Sequence, residues 1–192
     1  MSMRSRRIFL CRAILFFIGM SLCVSGARGQ AISPQQRNSL EQSCRDFVQE
    51  FYDWCVNRDM LNEKSHKYRM TSDEVLRLRP QAFGVKLRRM LREDSAAQAR
   101  AKELVGLDFD PFFNSQDPSS TFKVQAVTVR NGHCNAIVNG VEQGAVREHV
   151  EPELILQNGK WIFINFHYGS ESSKDDNLLD TLKVLGEDRR KN

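Results

Sequence analysis

The sequence lacks a hydrophobic run long enough for an ordinary membrane-spanning helix, which needs roughly 20 apolar residues. Its longest apolar stretch covers residues 13–24 and is followed by small residues around Ala27. Four arginines precede it: Arg4, Arg6, Arg7 and Arg12. This order is typical of a secretory signal peptide. We predict a signal peptide over residues 1–29 and a periplasmic or secreted protein with no membrane span after cleavage. An uncleaved N-terminal anchor is the alternative.

Beyond the signal peptide the sequence also lacks a net charge of either sign. The whole chain has 28 basic and 24 acidic residues. Five arginines and no acidic residue lie before residue 30, so 23 basic residues remain against 24 acidic ones. A nearly neutral chain does not attract nucleic acid through its overall field. We therefore expect no nucleic-acid partner.

Catalytic and metal-binding signatures are missing as well. The sequence has no Gly-x-Ser-x-Gly elbow, no Cys-x-x-Cys pair and no glycine loop that opens a helix. The segment from Asp108 begins like a calcium loop, but Phe112, Phe113 and Ser119 replace its oxygen donor, glycine and glutamate. The histidines lack the helical spacing of a metal-ligand pair. The sequence favours a non-enzymatic protein without metal or cofactor.

Three cysteines follow the predicted signal peptide: Cys44, Cys55 and Cys134. Cys44 and Cys55 lie on one predicted helix, roughly 16 Å apart, which is too far for a disulfide. A disulfide of Cys134 with Cys44 or Cys55 remains open. Because buried free cysteines pack well, we favour three small buried side chains.

The first half of the chain has helical periodicity. Apolar residues at three- and four-residue steps predict a helix over 34–58, with Ser33 as its N-cap. Residues 71–74 have the capping-box pattern of a second, short helix. A third helix is predicted over 81–105, with Gly106 at its C-terminal end.

The second half has the pattern of strands. The pairs Asn131-Gly132 and Asn158-Gly159 each separate two segments that are rich in β-branched and aromatic residues, which is a strong hairpin signal. We predict four strands, over residues 122–130, 133–141, 146–157 and 160–168. A short helix over 177–185 and a charged tail over 187–192 complete the chain.

Helices followed by strands indicate an α+β fold. We predict one domain, residues 30–186, in which the N-terminal helices pack in the concave face of a bent antiparallel sheet made of two consecutive hairpins. A simple turn at Asn158-Gly159 places His149 opposite Tyr168 and His167 opposite Val150, so that the two histidines point to opposite faces. The last strand is apolar on both faces, so the uncovered face needs the terminal helix or a second copy of the chain. A homodimer is therefore an expectation.

Several segments resemble a known family. Residues 106–111 read Gly-Leu-Asp-Phe-Asp-Pro and precede Gln116-Asp117, residues 47–52 read Phe-Val-Gln-Glu-Phe-Tyr, and residues 158–162 read Asn-Gly-Lys-Trp-Ile. These motifs resemble domain-of-unknown-function family 3828, a set of exported bacterial proteins. The resemblance implies an α+β cone like that of nuclear-transport-factor-2-like and cystatin-like proteins. The family has no established activity, so the resemblance implies neither a function nor a catalytic residue for this chain.

The loop of this resemblance is expected to be structural. Asp110 before Pro111 and Asp117 before Pro118 favour turns in which side-chain oxygens accept hydrogen bonds from loop amides. Gln116 is expected to bond nearby backbone.

A ligand pocket is expected at the mouth between the first helix and the sheet. Tyr52, Trp54, Asp117 and His167 have polar tips that would converge there, although core packing explains each of them equally well.

The third predicted helix carries a basic stretch. Arg88, Arg89 and Arg92 lie opposite its apolar stripe. A solvated face is the favoured interpretation, and docking of an acidic partner is the alternative.

We therefore expect an exported module that binds a small ligand or a protein partner, with an inhibitor among the roles. The alternatives are a small hydrolase or isomerase-like enzyme that uses the concave pocket, and a structural envelope protein.

Overall fold

The computed structural model describes residues 33–64, 71–169 and 176–191, which belong to one compact unit. The predicted signal peptide lies outside the described residues, as does His66. None of the described helices is both long and apolar enough to cross a membrane.

The first helix, α1, spans Pro34–Lys64 and is longer than predicted. The Ser33 hydroxyl oxygen accepts a hydrogen bond from the Gln36 backbone N–H at 3.2 Å, which confirms the N-cap. The apolar stripe of the helix is buried as predicted. Its fully or almost fully buried members are Cys44, Val48, Phe51, Tyr52 and Cys55.

The second helix, α2, spans Ser72–Leu78 and begins with the predicted capping box: Thr71 and Glu74 each accept a hydrogen bond from the other's backbone N–H. A 3-10 turn, Pro80–Ala82, connects it to α3, which spans Val85–Gln98.

The prediction that α3 continues to residue 105 is wrong. The Gln98 side-chain oxygen accepts hydrogen bonds from the backbone N–H groups of Val105 at 2.9 Å and Gly106 at 3.1 Å. The chain therefore folds back onto the end of the helix. Gly106 lies against the carboxylate of Asp94 instead of ending the helix.

The sheet confirms the predicted meander. Four antiparallel strands, β1 (Phe122–Arg130), β2 (His133–Glu142), β3 (Ala145–Gln157) and β4 (Lys160–His167), lie in the order β1-β2-β3-β4. Asn131-Gly132 and Asn158-Gly159 both have the positive φ angles that a type I′ turn requires. Gln143-Gly144 has the same angles and connects β2 to β3.

A β-bulge corrects the predicted register of the last hairpin. Leu154 pairs with Phe163 as a simple turn requires, but Glu153 pairs with Asn165, so β4 contains one extra residue. Beyond the bulge Glu151, not Val150, lies opposite His167. Because one inserted residue reverses the direction of all later side chains, His149 and His167 share one face of the sheet.

Helix α1 packs on the concave face, which we call the inner face. The inner face carries buried side chains from β2, β3 and β4: Cys134, Ala136, Val138, Val150, Leu154, Phe163 and Phe166. A disulfide between Cys44 and Cys134 joins α1 to β2. The interpretation of three free cysteines is therefore wrong for this pair, and Cys55 is the buried free thiol.

The last helix, α4, spans Leu178–Lys191 and so continues through most of the predicted charged tail. The end of this helix is fastened to the rest of the chain through Arg189. Arg189 donates hydrogen bonds to Asp94 on α3 at 2.6 Å and to the Val105 carbonyl at 2.8 Å.

Candidate functional site

Two buried tyrosines hold the loop between α3 and β1 from its inner side. The Tyr52 hydroxyl donates to the Phe112 carbonyl at 2.9 Å, and the Tyr168 hydroxyl donates to the Pro111 carbonyl at 2.8 Å. Burial raises the pKa of both phenols well above the usual value of 10.0. Both groups therefore stay protonated and act as structural donors.

Asp110 shapes the same loop, as the sequence indicates. Its carboxylate accepts from the Phe112 backbone N–H at 2.8 Å, and its own N–H donates to the Ser115 carbonyl at 2.9 Å. The Asp117 N–H donates to the Ser115 hydroxyl at 3.2 Å, while the side chains of Gln116 and Asp117 are exposed.

Glu148 holds the end of the loop against the sheet. Its carboxylate, in a residue only 5% exposed, accepts from the Ser119 backbone N–H at 3.2 Å and from the Ser119 hydroxyl at 2.5 Å. A side chain at Gly140 would collide with this carboxylate and would lie 2.9 Å from the Phe122 ring. Glycine at this position makes room for the buried acid.

Glu142 binds the next residue in the same way. It accepts from the Ser120 N–H at 3.2 Å and from the Ser120 hydroxyl at 3.3 Å. In both pairs one carboxylate binds the hydroxyl and backbone N–H of a single serine. That is the geometry of loop capping, in which a side chain satisfies backbone and hydroxyl donors of a loop.

A pocket of about 460 Å³ opens beside this loop. The end of α1 supplies Val56, Asp59 and Met60, and the loop supplies Phe113 and Asp117. The β2–β3 hairpin supplies Glu142 at the end of β2 and Arg147 in β3. Apolar side chains are thus combined with three carboxylates and one guanidinium. We call this the loop pocket.

The four side chains expected to form a ligand site do not converge. Tyr52 is buried and bonded to the loop, and only Asp117 lines the loop pocket. Trp54 lies beneath the Arg79 guanidinium, 4.2 Å from its ring centroid. His167 points to the opposite, outer face of the sheet because of the bulge.

Arg79 fixes α2 to α1 next to Trp54. It donates two hydrogen bonds to the Glu50 carboxylate, at 2.8 and 2.9 Å. This bidentate pairing lowers the pKa of Glu50. Trp54 and its neighbours therefore have a packing role at this helix junction.

Cys55 is not an activated thiol. Burial, followed by the nearby Asp110 carboxylate, raises its pKa well above the usual value of 9.0.

The outer face carries a chain of histidine and glutamate side chains that sequence reasoning missed. The ring nitrogens of His149 lie 3.0 Å from Asn139 Oδ1 and 2.9 Å from Glu151 Oε1. Glu153 lies between two rings, with His167 Nε2 at 3.3 Å and His133 Nδ1 at 3.8 Å. His167 joins this face because of the bulge at β4, which no turn residue in the sequence indicates, whereas the other groups lie on β2 and β3.

The loop pocket was also only partly predictable. The sequence singled out Asp117 and the loop, but Asp59 and Met60 lie near the end of a helix that was predicted to stop at residue 58. Glu142 stands at the end of β2, beyond a bulge at Gly140/Val141 that the predicted strand did not include.

Comparison with known proteins adds likenesses of fold only. No protein-family model matches the chain, and no curated protein matches it, so the resemblance to family 3828 stays a prediction. One similar solved structure is the type VI native effector–immunity complex Tae3–Tai3 from Ralstonia pickettii. It has 19% identity and a TM-score of 0.45 over 73% of this chain and 98% of that chain.

A second similar structure is a protein of unknown function from Bacteroides thetaiotaomicron VPI-5482. It has 11% identity and a TM-score of 0.44 over 69% of this chain and 94% of that chain. Scores of this size place no constraint on the function of this chain.

Proposed function

We propose that this protein is an exported, non-enzymatic binding module that holds part of a protein or a small ligand in the loop pocket. The observation that carries the proposal is the rigid construction of the pocket wall. Tyr52, Tyr168 and Glu148 all bind the loop through buried hydrogen bonds, so one wall is formed before any ligand arrives. A preformed wall reduces the ordering cost of binding.

The lining of the pocket indicates the chemistry of its occupant. Val56, Met60 and Phe113 offer apolar contact, while Asp59 and Asp117 bring negative charge from two different elements. An occupant that combines an apolar segment with a cationic group fits this lining. A basic and apolar segment of a partner protein has that character, and binding there would make the module an inhibitor-type protein.

The arrangement of polar groups supports binding over the hydrolase or isomerase alternative. Among the described residues, the buried groups near the pocket bond to backbone atoms of the loop. Cys55 and the two tyrosines have raised pKa values, so they are neutral at physiological pH. General acid–base work at neutral pH requires a pKa near that pH.

Site-specific crosslinking tests the proposal. A photoreactive phenylalanine analogue replaces Met60, which lines the pocket and is 41% exposed. The matched control carries the same analogue at Val184, which is 54% exposed and lies on α4. We expect a discrete crosslinked species in envelope extract from the Met60 variant alone.

A pocket variant completes this experiment. Asp117→Arg reverses one charge at the rim, and a urea titration of the variant checks that it remains folded. The crosslink at Met60 should disappear in this background. Equal crosslinking from Met60 and Val184, or an unchanged crosslink with Asp117→Arg, would refute the proposal.

Self-association is a second candidate role, and one observation favours it. Four isoleucines on the outer side of the sheet remain partly exposed: Ile137, Ile155, Ile162 and Ile164. Ile155 and Ile162 lie directly opposite each other on neighbouring strands. Analytical ultracentrifugation should show a dimer that Ile155→Glu converts to a monomer, and a monomeric wild-type protein would end this hypothesis.

A further inference from the structure

Helix α3 divides its residues between a buried and a basic face. Its buried residues are Leu87, Leu91 and Asp94. Before the helix begins, the Gly84 backbone N–H donates to the Phe163 carbonyl at 2.8 Å, which fixes the start of α3 beside β4. The opposite face therefore has a defined position and points outward.

That outward face and the turn after it form an open, shallow concavity of about 630 Å³ between their own side chains, which we call the arginine groove. Four arginines line it, Arg88, Arg89, Arg92 and Arg100, together with Val85, Glu93 and Ala96. Val85 is 75% exposed and is available for apolar contact. The lining is thus strongly cationic with a small apolar component.

The acids of α3 do not neutralise this groove. Asp94 is turned inward and bonded to Arg189 at 2.6 Å. Glu93 lies 3.7 Å from Arg89 in an exposed pair, and such pairs contribute little. Only one acid of α3, Glu93, therefore opposes the positive charge of the four guanidinium groups.

Arg88 has a hydrogen-bond donor that no acceptor in the described part of the chain satisfies. Its Nε atom is buried and has no hydrogen-bond partner in the described part of the chain. Arg79 and Arg189, in contrast, each bind a carboxylate at 2.8 Å or less. A buried donor without an acceptor costs free energy that an incoming acceptor recovers when the side chain turns toward it.

We infer that the arginine groove is a docking site for an acidic segment of a partner protein. Guanidinium groups bind carboxylates through two parallel hydrogen bonds, which suits a series of Asp and Glu side chains. Val85 and Ala96 lie at opposite ends of the groove, roughly 16 Å apart along the helix, and each offers contact to a separate apolar residue of the partner. The site is separate from the loop pocket, so this inference does not depend on the proposed function.

Two features favour a protein over a membrane or a nucleic acid. Glu93 stands among the arginines, where it repels a uniformly anionic surface but pairs with a basic residue that a discrete partner places opposite it. Beyond residue 29 the chain has 23 basic and 24 acidic residues, so it lacks the overall positive field that attracts anionic polymers and lipids.

Binding of a fluorescent acidic peptide of about 20 residues, in which Asp and Glu are interspersed with apolar residues and one Lys, tests the inference and is measured by anisotropy at low salt. We expect saturable binding that Arg88→Glu with Arg92→Glu weakens by at least about tenfold. The matched control, Lys123→Glu with Arg130→Glu, makes the same charge change at exposed positions of β1 and should weaken binding by less than about twofold.

Two further variants keep the test decisive. Arg89→Glu with Arg92→Glu changes two exposed side chains only, so it preserves folding if the Arg88 variant does not, and it should weaken binding equally. Arg88→Lys with Arg92→Lys keeps the charge but removes the planar fork, and it should cause an intermediate loss.

Three outcomes would overturn the inference. The first is an equal loss in the groove and control variants, which would indicate a nonspecific charge effect. The second is no binding of the acidic peptide. The third is tighter binding to phosphatidylglycerol vesicles or to single-stranded DNA than to the peptide, which would assign the groove to a membrane or a nucleic acid.

Discussion

On the inner side of the sheet, buried polar side chains hold the loop before β1, whereas on the outer face polar side chains of the strands bind one another. Tyr52 and Tyr168 reach carbonyl groups of the loop, and Glu148 reaches the backbone N–H and the hydroxyl of Ser119. On the outer face His149 contacts Glu151, and Glu153 lies between two histidines. The inner contacts are buried and the outer ones are partly exposed.

This difference distinguishes the polar side chains that stabilise the fold from those that are available to bind a partner. Buried polar groups must be satisfied, so their positions are fixed by the fold, and their removal destabilises the protein. The outer face, the rim of the loop pocket and the arginine groove carry polar groups that the fold tolerates at little cost. The residues available for binding are therefore those outside the aromatic core, which corrects the expectation that Tyr52 and Trp54 belong to a ligand site.

Phe51→Ala should produce the largest effect. Its ring contacts those of Tyr52, Trp54, Phe83, Phe112 and Phe163 at centroid distances from 4.8 to 6.4 Å. Truncation should lower the free energy of unfolding by about 3–5 kcal/mol in urea titration. Ile155→Ala on the outer face is the control and should cost about 1 kcal/mol. Equal losses would show that the two faces do not differ as described.

Gly140→Ala tests the space for Glu148. An added methyl group collides with the Glu148 carboxylate and the Phe122 ring, so the free energy of unfolding should fall by about 1–3 kcal/mol. Gly186→Ala makes the same change in α4, where the nearest atom, Nη2 of Arg189, is 3.8 Å away. It should raise stability by about 0.5–1 kcal/mol because alanine favours a helix interior. Changes of the same sign would contradict the account.

Tyr52→Phe removes one hydroxyl from the core without changing its shape. The Phe112 carbonyl then loses its buried donor, and chemical denaturation should show a loss of about 1–2 kcal/mol. An unchanged stability would mean that the hydroxyl does not hold the loop.

Glu153→Gln should have the smallest effect. It removes the charge beside His133 and His167, in a side chain that is 28% exposed. The free energy of unfolding should change by less than about 1 kcal/mol at neutral pH, as for other partly exposed ion pairs. A loss as large as that of Phe51→Ala would place this cluster among the structural elements.

The sheet was predicted well because the residues that define its turns act through their own local backbone preferences. Asn131-Gly132 and Asn158-Gly159 define tight turns by their own backbone preferences, so strand limits agreed closely with the structure. The end of α3 was missed because it depends on Gln98 capturing amides of residues 105 and 106. The bulge at β4 was missed because residues 164 and 165 carry no distinctive signal, and this error displaced His167 to the wrong face.

Native-state hydrogen exchange of the loop tests most directly whether the pocket wall is formed in advance. The backbone N–H groups of Phe112, Asn114 and Ser119 donate to Asp110 Oδ1, the Asp110 carbonyl and Glu148 Oε1. We predict that these amides exchange as slowly as amides in β2 and β3, and that Tyr52→Phe accelerates their exchange. Exchange at the rate of an unprotected chain in the wild-type protein would show that the loop is not held, and the proposed binding site would lose its basis.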